Sequence, residues 1–273
     1  MSDDSAIATH LNNLENQSIY IIREAYSRFK KTALLWSIGK DSTTLLWLMR
    51  KAFFGRIPFP IVHIDTTHKF KEIYDFRDQY ARLWDLNLII AQNKEALSRG
   101  ISPASGAFEC CTELKTKALQ LIIKEYEFQA LYLAIRRDEH GIRAKERIFS
   151  PRDKDFEWHY KNQPPELWNQ YTAHEQNEEH TRVHPLLGWR EIDVWEYIRR
   201  EKIPMVPLYY TVRGKRYRSI GCACCCQPVD SHAETIDAII EELKSSAVSE
   251  RSGRAQDKES AYTMQKLRSL GYM

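Results

Sequence analysis

Thr32-Ala33-Leu34-Leu35-Trp36-Ser37-Ile38-Gly39-Lys40-Asp41-Ser42 is an apolar run ending in a short polar turn, and a helical pattern with apolar positions at Leu45, Leu46, Leu48, Met49 and Phe53 follows it. Residues 32–36 read as a buried strand. A strand, a turn of Gly and Ser, and a helix in that order make an anion site. Backbone N–H groups and the positive end of the helix converge there, Gly39 permits close approach, and Ser37, Ser42 and Lys40 add donors. The turn lacks the four-residue gap and second glycine of the Walker pattern. A plain capped helix, with Asp41 or Ser42 as N-cap, is the alternative reading.

Outward from this turn the same alternation repeats. Residues 11–29 read as a helix, 60–64 as a strand, 70–84 as a helix, 87–91 as a strand, 112–126 as a helix and 130–134 as a strand. Continuous apolar strands alternating with helices predict an α/β fold, Rossmann-like, whose parallel β-sheet is covered by helices on both faces. Ligands in such folds sit beyond the carboxyl ends of the strands. Residues 150–181 lose the periodicity and carry Trp158, Tyr160, Trp168 and Tyr171, which predicts an ordered flap. Residues 191–200 and 236–243 return to helix, and 245–260 are polar and read as a mobile extension.

The 273 residues hold 40 Lys and Arg against 37 Asp and Glu, with 43% hydrophobic positions, which suits a soluble protein with ample core material. A net charge of +3 neither demands nor excludes nucleic acid. No stretch approaches the ~18 apolar residues of a membrane span. The polar, acidic start does not match a secretory signal, so a cytoplasmic location is expected. All six cysteines fall in two clusters, Cys110-Cys111 and Cys222, Cys224, Cys225 and Cys226. Clustering of that kind without an export signal points to metal, iron–sulfur or redox chemistry before structural disulfides.

Ser37-Ile38-Gly39-Lys40-Asp41-Ser42 resembles the pyrophosphatase loop of the adenine-nucleotide α-hydrolase superfamily. The neighbouring motifs are His63-Ile64-Asp65-Thr66, Lys69-Phe70, Tyr74-Asp75-Phe76-Arg77, Arg136-Arg137-Asp138-Glu139 and Arg143-Ala144-Lys145-Glu146-Arg147-Ile148. With the tail Ser249-Glu250-Arg251-x-Gly253-Arg254 they resemble the small subunit of bacterial sulfate adenylyltransferase, within the phosphoadenosine phosphosulfate reductase family. The resemblance implies an ATP pyrophosphatase domain over 1–230, containing the flap, and a helical extension over 231–273. It implies that Ser37, Gly39, Lys40, Asp41, Ser42 and Asp65 meet ATP, and that Lys40, Asp41, Arg136, Arg137 and Arg143 carry catalysis. Arginines grip phosphate or sulfate bidentately. Asp41, Asp138 and Glu139 are candidate Mg2+ partners. A capping role for Asp65 and a solvated helix face for the arginines are the alternatives.

The cysteines depart from that pattern. Arg218-Ser219-Ile220-Gly221-Cys222-x-x-Cys225 and Cys110-Cys111-Thr112-Glu113-Leu114-Lys115 are similar to the two halves of the iron–sulfur motif of adenylylsulfate reductases. That similarity implies a [4Fe-4S] cluster on Cys110, Cys111, Cys222 and Cys225, with Cys224 or Cys226 as substitute ligands. Zinc and a dithiol role stay open. Those reductases use a C-terminal cysteine, and none follows Cys226. ATP pyrophosphatase loop and cluster together resemble the ATP-pyrophosphatase component of DNA phosphorothioation systems. The resemblance implies adenylation of a nucleic-acid oxygen, with a cysteine desulfurase as partner and DNA as acceptor. Arg213, Lys215, Arg216, Tyr217 and Arg218 would then meet a strand, or offset the charge of the cluster. Synthesis of adenylyl sulfate with a GTPase partner is the alternative function, and a non-catalytic nucleotide-binding scaffold a third. Homo-oligomer formation stays open.

Overall fold

The computed structural model describes residues 3–141, 143–159, 161, 163, 166, 180–245, 250 and 251. The elements run α1 (Asp3–Arg28), β1 (Thr32–Leu35), α2 (Lys40–Ala52), β2 (Ile61–Ile64), α3 (Lys71–Leu83), β3 (Leu88–Ala91), α4 (Lys94–Ser98) and α5 (Ala107–Cys111). A π-helical segment (Thr112–Lys117) joins α5 to α6 (Ala118–Tyr126), and β4 (Ala130–Tyr132), β5 (Phe149–Arg152) and β6 (His180–Val183) come next. After α7 (Glu191–Glu201), the short pair β7 (Lys215–Arg216) and β8 (Val229–Asp230) precedes α8 (Ile236–Ser245).

Six strands form one sheet in the order β3-β2-β1-β4-β6-β5. The pairings β3/β2, β2/β1, β1/β4 and β4/β6 are parallel, with Leu34 opposite Ile61 and Tyr132 on either side. The expected parallel sheet is therefore correct for five strands, and β5 closes the edge antiparallel to β6. Successive side chains of a strand point to opposite faces, and both faces are packed. Leu34 and Trp36 join the core formed with α1, α2 and α7, whereas Ala33 and Leu35 pack with Ala118, Leu119, Ile122 and Ile123 of α6.

Two sequence readings change here. The segment 150–181 was expected to lack regular structure, yet its ends are the strands β5 and β6, and its aromatic residues Tyr160, Trp168 and Tyr171 lie outside the described residues. The continuous helix expected over 112–126 starts earlier, at Ala107, and Thr112–Lys117 within it is π-helical.

The chain steps from β1 outward to β2 and β3, then returns to β4 on the other side of β1. That reversal separates the loop ends after β1 and β4, which opens a crevice at their carboxyl ends. The pocket lies there, bordered by the turn after β1 and by Leu133, Ala134 and Ile135 after β4.

Candidate active site

The turn after β1 is held open by backbone geometry. Ile38 has φ of 64°, a left-handed conformation that is costly for a β-branched residue. Its side chain is buried in the core, which over-determines the conformation. Gly39 is the N-cap of α2 and offers no side-chain cap, so neither Asp41 nor Ser42 performs the capping that the simpler reading required. A Cβ added at Gly39 would stand 3.4 Å from Ser37 Oγ and 3.5 Å from the Tyr209 hydroxyl. The Lys40 N–H donates to that Tyr209 hydroxyl at 2.7 Å, and Ser37 Oγ lies 3.0 Å from Ser42 Oγ. On the far side, the Trp36 indole N–H donates to Thr43 Oγ1 at 3.1 Å and ties strand to helix.

Ser37, Gly39, Lys40, Asp41 and Ser42 all line the pocket, as does Arg143. Arg136 takes a different place. Its guanidinium is fully buried, and it donates to Asp41, to Glu250, and to Asp138 at 2.9 Å. Burial opposes its charge, but Glu250 and the neighbouring carboxylates outweigh burial and hold it firmly protonated. It is not among the lining residues, so it braces the turn from behind. Arg137 is half-exposed and 3.8 Å from Glu166, also away from the lining.

Asp65 ends β2 but is bonded elsewhere. Its carboxylate accepts from the Thr67 N–H, the Tyr74 hydroxyl and Gln92 Nε2, each at 2.8 Å. Burial pushes its pKa up, and these three donors pull it below the usual carboxylate range. Its neighbour Ile64, rather than Asp65, lines the pocket. The contact with Thr67 is the local capping that stood as the alternative.

Sequence reading missed several residues of the site. Lys69, Lys115, Tyr209 and Arg251 line the pocket, and Glu250 lies buried behind it. The Glu250 carboxylate accepts from Lys40 Nζ and Arg136. Glu139 accepts from Arg143 and, at 3.0 Å, from Arg251. Burial raises the pKa of both carboxyls, but the surrounding cations win and keep them ionised. The polar extension expected over 245–260 is therefore wrong at these two positions. The motif that contains them and the Lys115 of the first cysteine motif were the available signals.

The two cysteine clusters, far apart in sequence, meet beside this pocket. The Cys110 thiol is pushed up to about 11 by burial and then by the charges of Cys111, Cys222 and Cys224. Cys222 is drawn down to about 3, first by a hydrogen bond from Cys225, then by Lys115 and Lys69 against the cost of burial. The Thr66 hydroxyl lies 3.2 Å from Cys222 Sγ, the Gly221 N–H donates to Cys226 Sγ at 3.0 Å, and Cys224 and Cys225 sulfurs are 3.6 Å apart. Ser219, Ile220 and Gly221, which lead into this cluster, belong to the pocket wall. The π-helical segment directly after Cys110 and Cys111 carries Lys115 to that wall; such segments are frequent at functional sites.

The basic stretch near residue 215, read as meeting a strand or as offsetting cluster charge, is only partly on the surface. Arg216 is buried and donates to Glu242 at 2.6 Å, and Arg218 donates to Glu191 at 2.7 Å. Tyr217 packs edge-on against Phe70 with ring centroids 4.9 Å apart. The Arg216 and Arg218 charges are committed inside the fold, whereas Arg213 and Lys215 are exposed.

Residues 31–228 match the phosphoadenosine phosphosulfate reductase domain family. The chain belongs to this family. Relatives of the chain include sulfate adenylyltransferase subunit 2 of Bacteroides fragilis, 41% identical over 97% of both chains. The subunit of the same name from Saccharophagus degradans is 40% identical over 97% of both. Among solved structures, Candida glabrata FMN adenylyltransferase superposes with a TM-score of 0.59 at 18% identity, covering 84% of this chain and 67% of that one. Yeast FAD synthetase gives 0.58 at 17% identity over 93% of each. The structural likenesses concern the fold. The chain is an enzyme of adenylyltransferase type.

These findings overturn nucleic-acid thiolation as the function. Relatives similar along nearly the whole length are named sulfate adenylyltransferase subunit 2. The cysteine desulfurase and DNA expected as partners fall with that reading, and the name of the relatives implies a second subunit instead. Among the described residues, no helix is long and apolar enough to cross a membrane.

Proposed function

We propose that this protein is the ATP-cleaving subunit of a sulfate adenylyltransferase and works with a second subunit. The observation that carries the reading is 41% identity over 97% of both chains, coupled to a pocket at the β1/β4 reversal with the phosphate turn as its floor. In the proposed reaction a sulfate oxygen bonds to the α-phosphorus of ATP as the bond from that phosphorus to the bridging oxygen breaks. Pyrophosphate leaves with the electron pair, and adenylyl sulfate remains. No protein nucleophile is needed, because preorganised donors can stabilise the charge that builds on the phosphate oxygens.

Ser37, Gly39 and Ser42 would hold the phosphates at the positive end of α2, and Lys40 and Arg143 would neutralise them. Asp41 and Glu139 line the pocket and would offer hard carboxylate oxygens to Mg2+ in exchange for part of their contacts with Lys40, Arg136, Arg143 and Arg251, whereas Asp138 does not line it and is held by Arg136 and by the Glu191 N–H. Arg136 and Asp65 would act by ordering the loops that carry these groups.

The proposal includes a [4Fe-4S] cluster on Cys110, Cys111, Cys222 and Cys225. Its support is the convergence of thiols from two distant segments, with Lys115, Lys69 and Thr66 around Cys222. When bound, such a cluster supplies a one-electron couple and a cross-link between the two segments. Adenylyl transfer as written does not pass through it. Iron and sulfide analysis of anaerobically purified protein should give four of each per chain, and colourless protein with every thiol titratable would remove the cluster from the account.

The test of the activity is pyrophosphate release from ATP by the complete enzyme, with and without sulfate. Release that rises with sulfate supports the reading. Release indifferent to sulfate, or none, contradicts it.

A further inference from the structure

Glu250 and Arg251 come after α8 in the chain, and of the two only Arg251 lines the pocket. Glu250 is 8% exposed and accepts from Lys40 Nζ and Arg136, the cations under and behind the phosphate turn. Arg251 is 6% exposed, yet it lines the pocket. There it shares the Glu139 carboxylate with Arg143, so two guanidinium groups flank one carboxylate and leave a single positive charge on that wall. Burying a carboxylate is costly unless cations meet it. The Glu250 contacts therefore fix this short piece of chain with a definite orientation, and its next residue inherits that orientation. A planar guanidinium held in this way matches a tetrahedral oxyanion.

We propose that Arg251 is a substrate-binding residue delivered to the pocket by the C-terminal segment, and that Glu250 is the positioning residue anchoring that segment. The ligand is a tetrahedral oxyanion, either the sulfate to be adenylated or the pyrophosphate that leaves. The inference deepens the adenylyltransferase reading and rests on it for the identity of these anions.

The test is equilibrium binding of inorganic sulfate and of pyrophosphate, measured separately on the full-length chain with its second subunit. Arg251→Ala weakens one of them about tenfold, which corresponds to ~1.4 kcal/mol, and Arg251→Lys recovers part of the loss. Selective loss of sulfate assigns the subsite to the acceptor, and selective loss of pyrophosphate assigns it to the leaving group. Glu250→Gln reproduces the Arg251→Ala effect, and the double variant binds no more weakly than either single one, because the anchor acts through Arg251. Wild-type binding of both anions by Arg251→Ala overturns the inference, even with a lowered melting temperature, since the segment would then be only a latch. A double variant weakened by the product of the two single effects overturns the anchoring role. Binding is read without turnover, so its outcome is separable from the sulfate dependence of pyrophosphate release, on which the functional reading stands or falls.

Discussion

Replacing Arg136 by Met separates a brace from a phosphate ligand. The guanidinium is fully buried and meets Asp41, Asp138 and Glu250. Met keeps the stem and removes the charge, which leaves Glu250 facing Lys40 alone. Removing one partner of a buried ion pair costs about 3–5 kcal/mol. At roughly 2–4 °C per kcal/mol for a chain of this size, the melting temperature should fall by roughly 6–20 °C. The pH dependence should also change sign. In the wild type Glu250 titrates below its usual range, so its contribution is complete above about pH 4.5 and is lost as pH falls through the folded-state value. Without Arg136, burial dominates and raises the Glu250 pKa above that of the unfolded chain. The variant should then gain stability as pH falls from 7 to 5, while the wild type does not. Thermal melts of both proteins across pH 5–8 make the comparison. A melting temperature within a degree or two of wild type, or parallel pH profiles, would refute this reasoning.

Two further outcomes follow from the same geometry. Gly39→Ala places its Cβ at ordinary contact distance from Ser37 and Tyr209, so the melt should stay near wild type while ATP binding weakens at least about tenfold (~1.4 kcal/mol); unchanged ATP affinity would move the phosphates off this turn. His63 is pulled down to about 4 by burial and then by the Lys69 charge, so the folded protein keeps it neutral while the unfolded chain protonates it near pH 6.5. Stability should therefore fall by up to about 3 kcal/mol between pH 6.5 and 4, and His63→Gln should flatten that part of the denaturation profile; identical slopes would show that another group is responsible.

The strand, turn and helix of β1 and α2 were legible because three signals coincide there: an apolar run, a Gly and Ser turn, and an amphipathic helix. The sheet edge was not. His180-Thr181-Arg182-Val183 has no apolar alternation, yet all four residues are buried as β6, because backbone pairing with β4 on one side and β5 on the other holds the strand. Tertiary ion pairs hid other features. Arg216 and Arg218 read as a surface patch because Glu242 and Glu191 are distant in sequence, and Glu250 and Arg251 read as solvated tail because Lys40, Arg136 and Glu139 are. Arg136, Arg137 and Arg143 looked equivalent in sequence. The loop after β4 sends the first inward as a brace, the second outward, and only the third to the pocket wall. The cysteine clusters were legible as a pair, since vicinal and closely spaced thiols with no others elsewhere are hard to explain as core. Their attachment to the nucleotide pocket through Lys115, Lys69 and Gly221 needed the fold.

The most direct measurement is the identity of the nucleotide product when the complete enzyme is given ATP and sulfate. Adenylyl sulfate formed in equal amount with pyrophosphate, and reduced in Gly39→Ala at subsaturating ATP, is the expected result. ATP cleaved with AMP as the sole nucleotide product at every sulfate concentration would contradict the account.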